Sequence, residues 1–314
     1  MMQHDLDNPD KRLKGNHTSA TFEDLASQFA PFDAILFQGG DIVSNTIMII
    51  EEMSTSDLAE FSHMGMLVNS DILPTISQLI PGRWYVFEST MSMKFYSSVQ
   101  DTVSKKGKFG VQIRDFEEVI SSYPGRVAWA KLLNNPWRQD FIVGNMNVKA
   151  KEVDIKRNKN NADENDGDKP FMIQDLSFAN VTLIQRRELL AKEMTAIYST
   201  YKARIYNVNC LDLCAAAFKC LRPIRDKLDE IVICDRKILN NMATNKPLTH
   251  GTTYNPFGWI FCSQLIAICW KQIGVLNSSI DPRDWLPISC LGTTDYKCIV
   301  YEPIFILINT NHKL

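Results

Sequence analysis

Three side chains in this sequence have the chemistry of a nucleophile, its base and an orienter. They are the thiol of Cys262 in Trp259-Ile-Phe-Cys262-Ser-Gln-Leu-Ile266, the imidazole of His63 in Phe61-Ser-His63-Met-Gly65-Met-Leu-Val68, and the carboxylate of Glu88 in Trp84-Tyr-Val-Phe-Glu88-Ser-Thr90. A thiol attacks as thiolate, so it needs a base to take its proton, and the base needs a third group to fix its tautomer and orientation. Histidine is scarce: only His4, His17, His63, His250 and His312 occur, and the first two and the last fall in the expected tails. His250, in Thr249-His-Gly251-Thr, is the rival base because it precedes Cys262 closely. Each group also has a plain structural reading. A lone cysteine usually packs as a small hydrophobe, a strand histidine is usually a satisfied core or surface residue, and a strand glutamate usually faces water at an edge.

The elements that must position these groups follow from periodicity. His63–Asn69 and Arg83–Thr90 read as strands. Period two puts His63, Gly65 and Leu67 on one face, and Trp84, Val86, Glu88 and Thr90 on one face of the next strand. A carboxylate there is costly to bury unless paired, and a histidinium on the neighbouring strand would pair it. Residues 263–273 read as a helix with an apolar stripe of Leu265, Ile266, Cys269, Trp270 and Ile273, and with Gly274 as its C-cap. Cys262 then projects from the helix N-terminus, where unpaired N–H groups and the macrodipole favour thiolate and could also hold an oxyanion.

Further elements complete the chain. Phe22, Leu25 and Phe29 are spaced for a short helix that Pro31 helps end, and Asp33–Phe37 is a strand closed by Gly39-Gly40. Residues 41–52 read as a helix, Val111–Arg114 as a short strand, Phe116–Ser122 as a helical turn, and Arg126–Leu133 as a strand. Helices follow at Arg186–Tyr201 and Asn209–Leu221, and the chain ends in strand-like Cys298–Tyr301 and Ile304–Ile308. Residues 1–20 read as a disordered tail. The tract 149–169, rich in Asn and Asp, cannot bury enough surface to offset its ordering entropy and reads as an inserted polar loop. The expected organisation is a single domain over residues 21–314.

Bulk properties narrow the function. The net charge of −2 argues against a dedicated nucleic-acid binder. All eight cysteines lie at or after Cys210, with no CxxC pair, which suggests a reducing compartment rather than a disulfide framework. Cys210 and Cys214 stand one helical turn apart and, with His250, would form at most a distant zinc alternative. The N-terminus is too polar for a signal peptide, and the apolar run around Trp259–Trp270 is shorter than the roughly 20 residues a membrane helix needs.

The order His, acid, Cys and several short motifs resemble the circularly permuted NlpC/P60 proteins, a papain-like amidase group with bacterial and poxviral members. Phe32-Asp33-Ala-Ile-Leu-Phe-Gln38 is similar to that family's "GD-hydrophobic-FQ" strand, and Ser62-His63-Met-Gly65-Met-Leu-Val to its "SHVGIVV" strand. Val86-Phe-Glu88-Ser-Thr is similar to "VxEA", and Phe261-Cys262-Ser-Gln-Leu-Ile to "YCSELV". Val111–Phe116 and Asp281-Pro-Arg-Asp-Trp-Leu286-Pro are lesser echoes. The likeness covers about residues 30–135 and 195–290. It departs at Gln264, where Glu is common, and at residue 32, Phe rather than Gly.

The resemblance implies an α+β permuted papain-like fold: an antiparallel, partly barrel-like sheet packed against the helix that carries the nucleophile. It implies Cys262 as nucleophile, His63 as base then acid, and Glu88 as orienter, with no cofactor or metal. The expected substrate is a peptide-like amide or an acyl lipid, cleaved or transferred through an acyl-Cys262 intermediate. The expected setting is cytoplasmic or virion, with membrane contact no more than peripheral. The alternative from another class is a non-catalytic binding or virion-associated protein that keeps the fold. The enzyme reading requires the thiol within about 4 Å of His63, whose other nitrogen faces Glu88.

Overall fold

The computed structural model describes residues 18–39, 47–49, 60–91, 99–132, 135, 137–138, 182–206, 221, 223–224, 259–276, 281–285 and 304–308. A seven-stranded sheet dominates them, in the spatial order β1-β9-β6-β2-β3-β4-β5. Its strands are β1 (Thr18–Thr21), β2 (Ala34–Gln38), β3 (His63–Val68), β4 (Tyr85–Met91), β5 (Phe109–Asp115), β6 (Arg126–Ala130) and β9 (Ile304–Ile308). A separate parallel pair joins β7 (Ile205–Tyr206) to β8 (Trp259–Ile260). The helices are α1 (Phe22–Leu25), α2 (Phe116–Ser122), α3 (Leu183–Tyr201) and α4 (Cys262–Gln272), with 3-10 turns at Ala26–Gln28 and Pro282–Asp284.

Two sequence expectations are corrected here. The sheet is mixed rather than antiparallel, because β1 runs parallel to β9, and it is open, with β1 and β5 at its edges, rather than barrel-like. Residues 18–20 belong to β1 instead of a disordered tail. Thr18-Ser-Ala-Thr carries no hydrophobic alternation; its strand form comes from pairing with Ile304–Ile308, nearly the whole chain away. The other strands of this sheet fall within a few residues of expectation, whereas the short pair β7 and β8 was not expected. Of the expected helix 41–52, residues 47–49 are described and are helical. The tract 149–169, residues 209–220 of the expected helix Asn209–Leu221, the strand Cys298–Tyr301, Cys210, Cys214 and His250 lie outside the described residues.

Alternation splits the core into two layers. Met64, Met66, Val68, Phe87, Val111 and Ile113 face α3 and α4, meeting Leu190, Met194, Leu265, Ile266 and Cys269. Ile35, Phe37, Leu67, Val86, Val127 and Trp129 face the opposite side, with Leu25, Phe29 and α2 residues Phe116 and Val119. Helix α3 begins three residues earlier than its apolar periodicity suggests because Thr182 and Gln185 close a capping box, Gln185 N–H donating to Thr182 Oγ1 at 3.3 Å and Thr182 N–H to Gln185 Oε1 at 3.0 Å.

Helix α4 is fixed at both ends. Gly274 takes the left-handed conformation at φ 80°, and the N–H groups of Gly274 and Val275 return to Lys271 O and Trp270 O, a Schellman closure. Trp270 Nε1 donates to Phe32 O at 3.1 Å and Trp137 Nε1 to Ile273 O at 3.2 Å, tying the C-terminal end to the start of β2. Phe32 itself holds φ 73°. For a residue with a Cβ this costs about 1–2 kcal/mol, comparable to what complete burial of a phenyl side chain returns. Beside it, the carboxylate of Asp33 accepts from Ala30 N–H and Trp129 Nε1 on one oxygen and from Leu132 N–H and Arg138 Nη2 on the other. Burial pushes that carboxyl up to about 6, even though Arg138 and the other donors pull it down.

Candidate active site

His63 is the first residue of β3, opposite Phe37 of β2, and their rings stack obliquely with centroids 5.0 Å apart. The β3–β4 ladder pairs Val68 with Tyr85, Leu67 with Val86 and Met66 with Phe87, and there it ends. Extending that register sets Gly65 opposite Glu88, so the imidazole and carboxylate are diagonal neighbours on one face. His63 Nε2 lies 2.6 Å from Glu88 Oε2. Glu88 is ionised and only accepts, so Nε2 carries a proton and Nδ1 is the nitrogen left for another partner.

That partner is the thiol. Cys262 is the first residue of α4, and its sulfur is hydrogen-bonded to the His63 ring and to the backbone N–H groups of Met64 and Ser263. Ser263 offers one of the N–H groups that a helix start leaves without an intrahelical acceptor. Met64 lies just past the end of the β3–β4 ladder. Helix α4 packs on the face of the sheet opposite to His63, so thiol and imidazole approach from two sides and meet where β3 and β4 part. Ser89 Oγ donates to Ile260 O at 2.8 Å and fixes β8, two residues ahead of Cys262, against β4.

The helix entry is capped without added charge. Phe261 N–H donates to Gln264 Oε1 at 3.4 Å, the half of a capping box that an N3 side chain supplies. A glutamate there would make the same bond but would set a second anion beside the sulfur; the amide does not.

The electrostatics oppose burial and win. Burial alone would push the His63 imidazole down, but the sulfur of Cys262 and the carboxylate of Glu88 raise it to about 9. Burial likewise pushes the Cys262 thiol up, but the His63 charge, its hydrogen bond and the two N–H donors bring it below the ordinary thiol range. Both shifts run toward a thiolate–imidazolium pair and away from a neutral one. Cys269, two turns along the same helix, has no such neighbour, and burial pushes its thiol far up.

One group was missed at the level of sequence. Arg114 of β5 is almost fully buried and donates through Nε to Glu88 Oε1, leaving Oε2 to His63. The signal for it was present: Gln112 and Arg114 are polar residues alternating with Val111 and Ile113 in a segment read as a strand. Only the register, Glu88 opposite Gln112 and Val86 opposite Arg114, brings the guanidinium to the carboxylate.

Gly65 makes the diagonal contact possible. A Cβ there would come within 2.5 Å of Val86 Cγ1 and 3.2 Å of Glu88 Cβ. Gly65→Ala is therefore expected to push β4 away and lengthen the His63–Glu88 bond. It should destabilise the fold by about 1–3 kcal/mol and slow alkylation of Cys262 more than tenfold. Urea unfolding together with Cys262 alkylation rates checks both; an unchanged alkylation rate would show that the strand gap is not needed.

Among the described residues no cluster of His, Cys, Asp and Glu could hold a metal ion. No helix among them is long and apolar enough to cross a membrane. No family model matches this chain, and no curated protein matches it.

Proposed function

We propose that this protein is a cysteine-dependent hydrolase or acyltransferase acting on an amide or ester through an acyl-Cys262 thioester. The observation that carries this reading is the hydrogen-bonded chain of Cys262, His63 and Glu88 at the N-terminus of α4. In this mechanism the thiolate attacks the carbonyl carbon. The tetrahedral oxyanion forms in front of the N-terminus of α4, and His63 passes the proton on Nδ1 to the departing amine or alcohol. His63, then neutral, activates water or an acceptor alcohol or amine to release the acyl group. Glu88 stays ionised throughout and holds the ring by Nε2.

The same reading extends to the fold as a permuted papain-like arrangement. Residue 32 supports it: the position where the resemblance has Gly carries φ 73°, a conformation that glycine adopts freely. The substrate class under this reading is a peptide-like amide or an acyl lipid.

The test is alkylation by iodoacetamide, which reports thiolate without needing a substrate. Because the Cys262 thiol is lowered and the His63 imidazole is raised to about 9, the pair should persist from below the ordinary thiol range up to about pH 9. The rate at Cys262, followed by peptide mass spectrometry, is expected to be nearly level across neutral pH, with Cys269 unlabelled. A rate climbing about tenfold per pH unit between 6 and 8, as for an ordinary thiol of pKa about 8.5, would reject the reading. Turnover of an amide substrate should fall as pH rises through about 9, where His63 loses the proton the leaving group needs.

A further inference from the structure

The buried chain at the site has four charged members rather than three. Arg114 on β5, Glu88 on β4, His63 on β3 and Cys262 on α4 alternate in sign, and each pairs with its neighbours in that order. Among the described residues, the charged groups that act on Glu88 are Arg114 and His63, and those that act on His63 are Cys262 and Glu88. The nearby Asp115 turns away and pairs with Arg83 at 2.9 Å. Gln112, directly across from Glu88, contributes no charge, and both polar atoms of its amide are without a hydrogen-bond partner among the described residues.

We propose that Arg114 is a positioning residue of this site, occupying Glu88 Oε1 so that Oε2 is presented, ionised, to His63 Nε2. The inference rests on the thiolate–imidazolium reading above and goes beyond it. A fully buried carboxylate with a single imidazolium neighbour can resolve its cost by taking up a proton, which would strip the imidazolium of its counter-charge. The guanidinium removes that route. The Nε–H bond to Oε1 also holds the carboxylate in position. With all four groups charged the chain is neutral. It is neutral again after acylation, when the thioester has lost its charge and His63 has given up its proton. Arg114 and Glu88 therefore keep the site balanced through the cycle without exchanging protons themselves.

The experiment follows the pH dependence of Cys262 alkylation by iodoacetamide in the full-length chain. In the Arg114→Met variant, Glu88 should take up a proton at higher pH, so the acid limb of the rate is expected to move up by about one to three pH units. Arg114→Lys should bring the limb most of the way back. A residue that merely filled space would lower the rate without moving the limb. An Arg114→Met limb identical to that of the wild type, in a folded protein, overturns the inference alone. A wild type that reacts like an ordinary thiol defeats the underlying reading instead. Should Arg114→Met fail to fold, a carboxyl 13C titration of Glu88 in the wild type decides the matter. Ionisation that persists below the ordinary 4.5 supports the role of Arg114, and protonation at or above 4.5 overturns it.

Discussion

Replacing His63 with alanine is expected to slow the alkylation of Cys262 at pH 7 by at least about 30-fold, because an unassisted thiol of pKa about 8.5 is only about 3% thiolate there. Burial makes the true loss larger, since the sulfur would sit beneath the sheet without the charge that offsets its desolvation. Loss of the general acid and base should remove a further factor of about 10²–10⁴ from acyl transfer. The variant must also keep its fold, which is readily checked by thermal melting: His63 opens its strand, and the Phe37 contact is the packing it gives up. An alkylation rate within threefold of the wild type would mean that the His63 contact does not control the thiol. Glu88 would then be a structural carboxylate, and the chain a binding protein that retains the constellation without using it.

The second large effect falls on stability. Asp33→Ala leaves Arg138, the Trp129 indole and the Ala30 and Leu132 N–H groups without their shared acceptor. Removing one partner of such a buried charge network typically costs about 3–5 kcal/mol, out of a total of about 5–15 kcal/mol for a native protein. The urea midpoint should drop by a large fraction of its value. Asp33→Asn, which keeps the shape and one acceptor oxygen, should fall between. The consequence reaches the site because Asp33 fixes the start of β2, and β2 carries Phe37 to His63. A midpoint shift worth less than about 1 kcal/mol would mean that the donors find water or other acceptors when the carboxylate is gone.

Much of the site was legible because period two is a strong signal in this chain. The alternation of Met64, Met66 and Val68 against His63, Gly65 and Leu67 fixes which residues share a face, and the faces are those observed. The start of α4 was legible from its apolar stripe, to within one residue. Register was not. Nothing local says that Val86 lies opposite Arg114, so the guanidinium behind Glu88 could not be inferred from Val111–Arg114 alone. The same limit hid β1, whose strand form depends on a partner near the far end of the sequence. The side from which Cys262 approaches was likewise illegible. Helix periodicity says that α4 faces the sheet but not which face, and here the face is the one opposite His63. Phe32 is the converse case. The resemblance has glycine at this position, and in this chain the residue keeps a glycine-like conformation while its ring is buried.

The distance along the chain between β3 and α4 has a consequence in time. At about 5–20 residues per second, a ribosome emits Cys262 roughly 10–40 s after His63. During that interval β2 to β6 can pair from the residues already made, and the buried link between Glu88 and Arg114 can form, while the apolar face of Met64, Met66 and Val68 waits for α4. The nascent chain thus holds a prepared acid–base pair with nothing to activate, and gains a reactive sulfur only as the helix that covers the core arrives. Under the proposed function, reactivity arrives late, with the helix that covers this face and shortly before β9 joins β6, which spares the half-made chain from modifying its surroundings. The waiting face is where a stalled or truncated chain would engage chaperones.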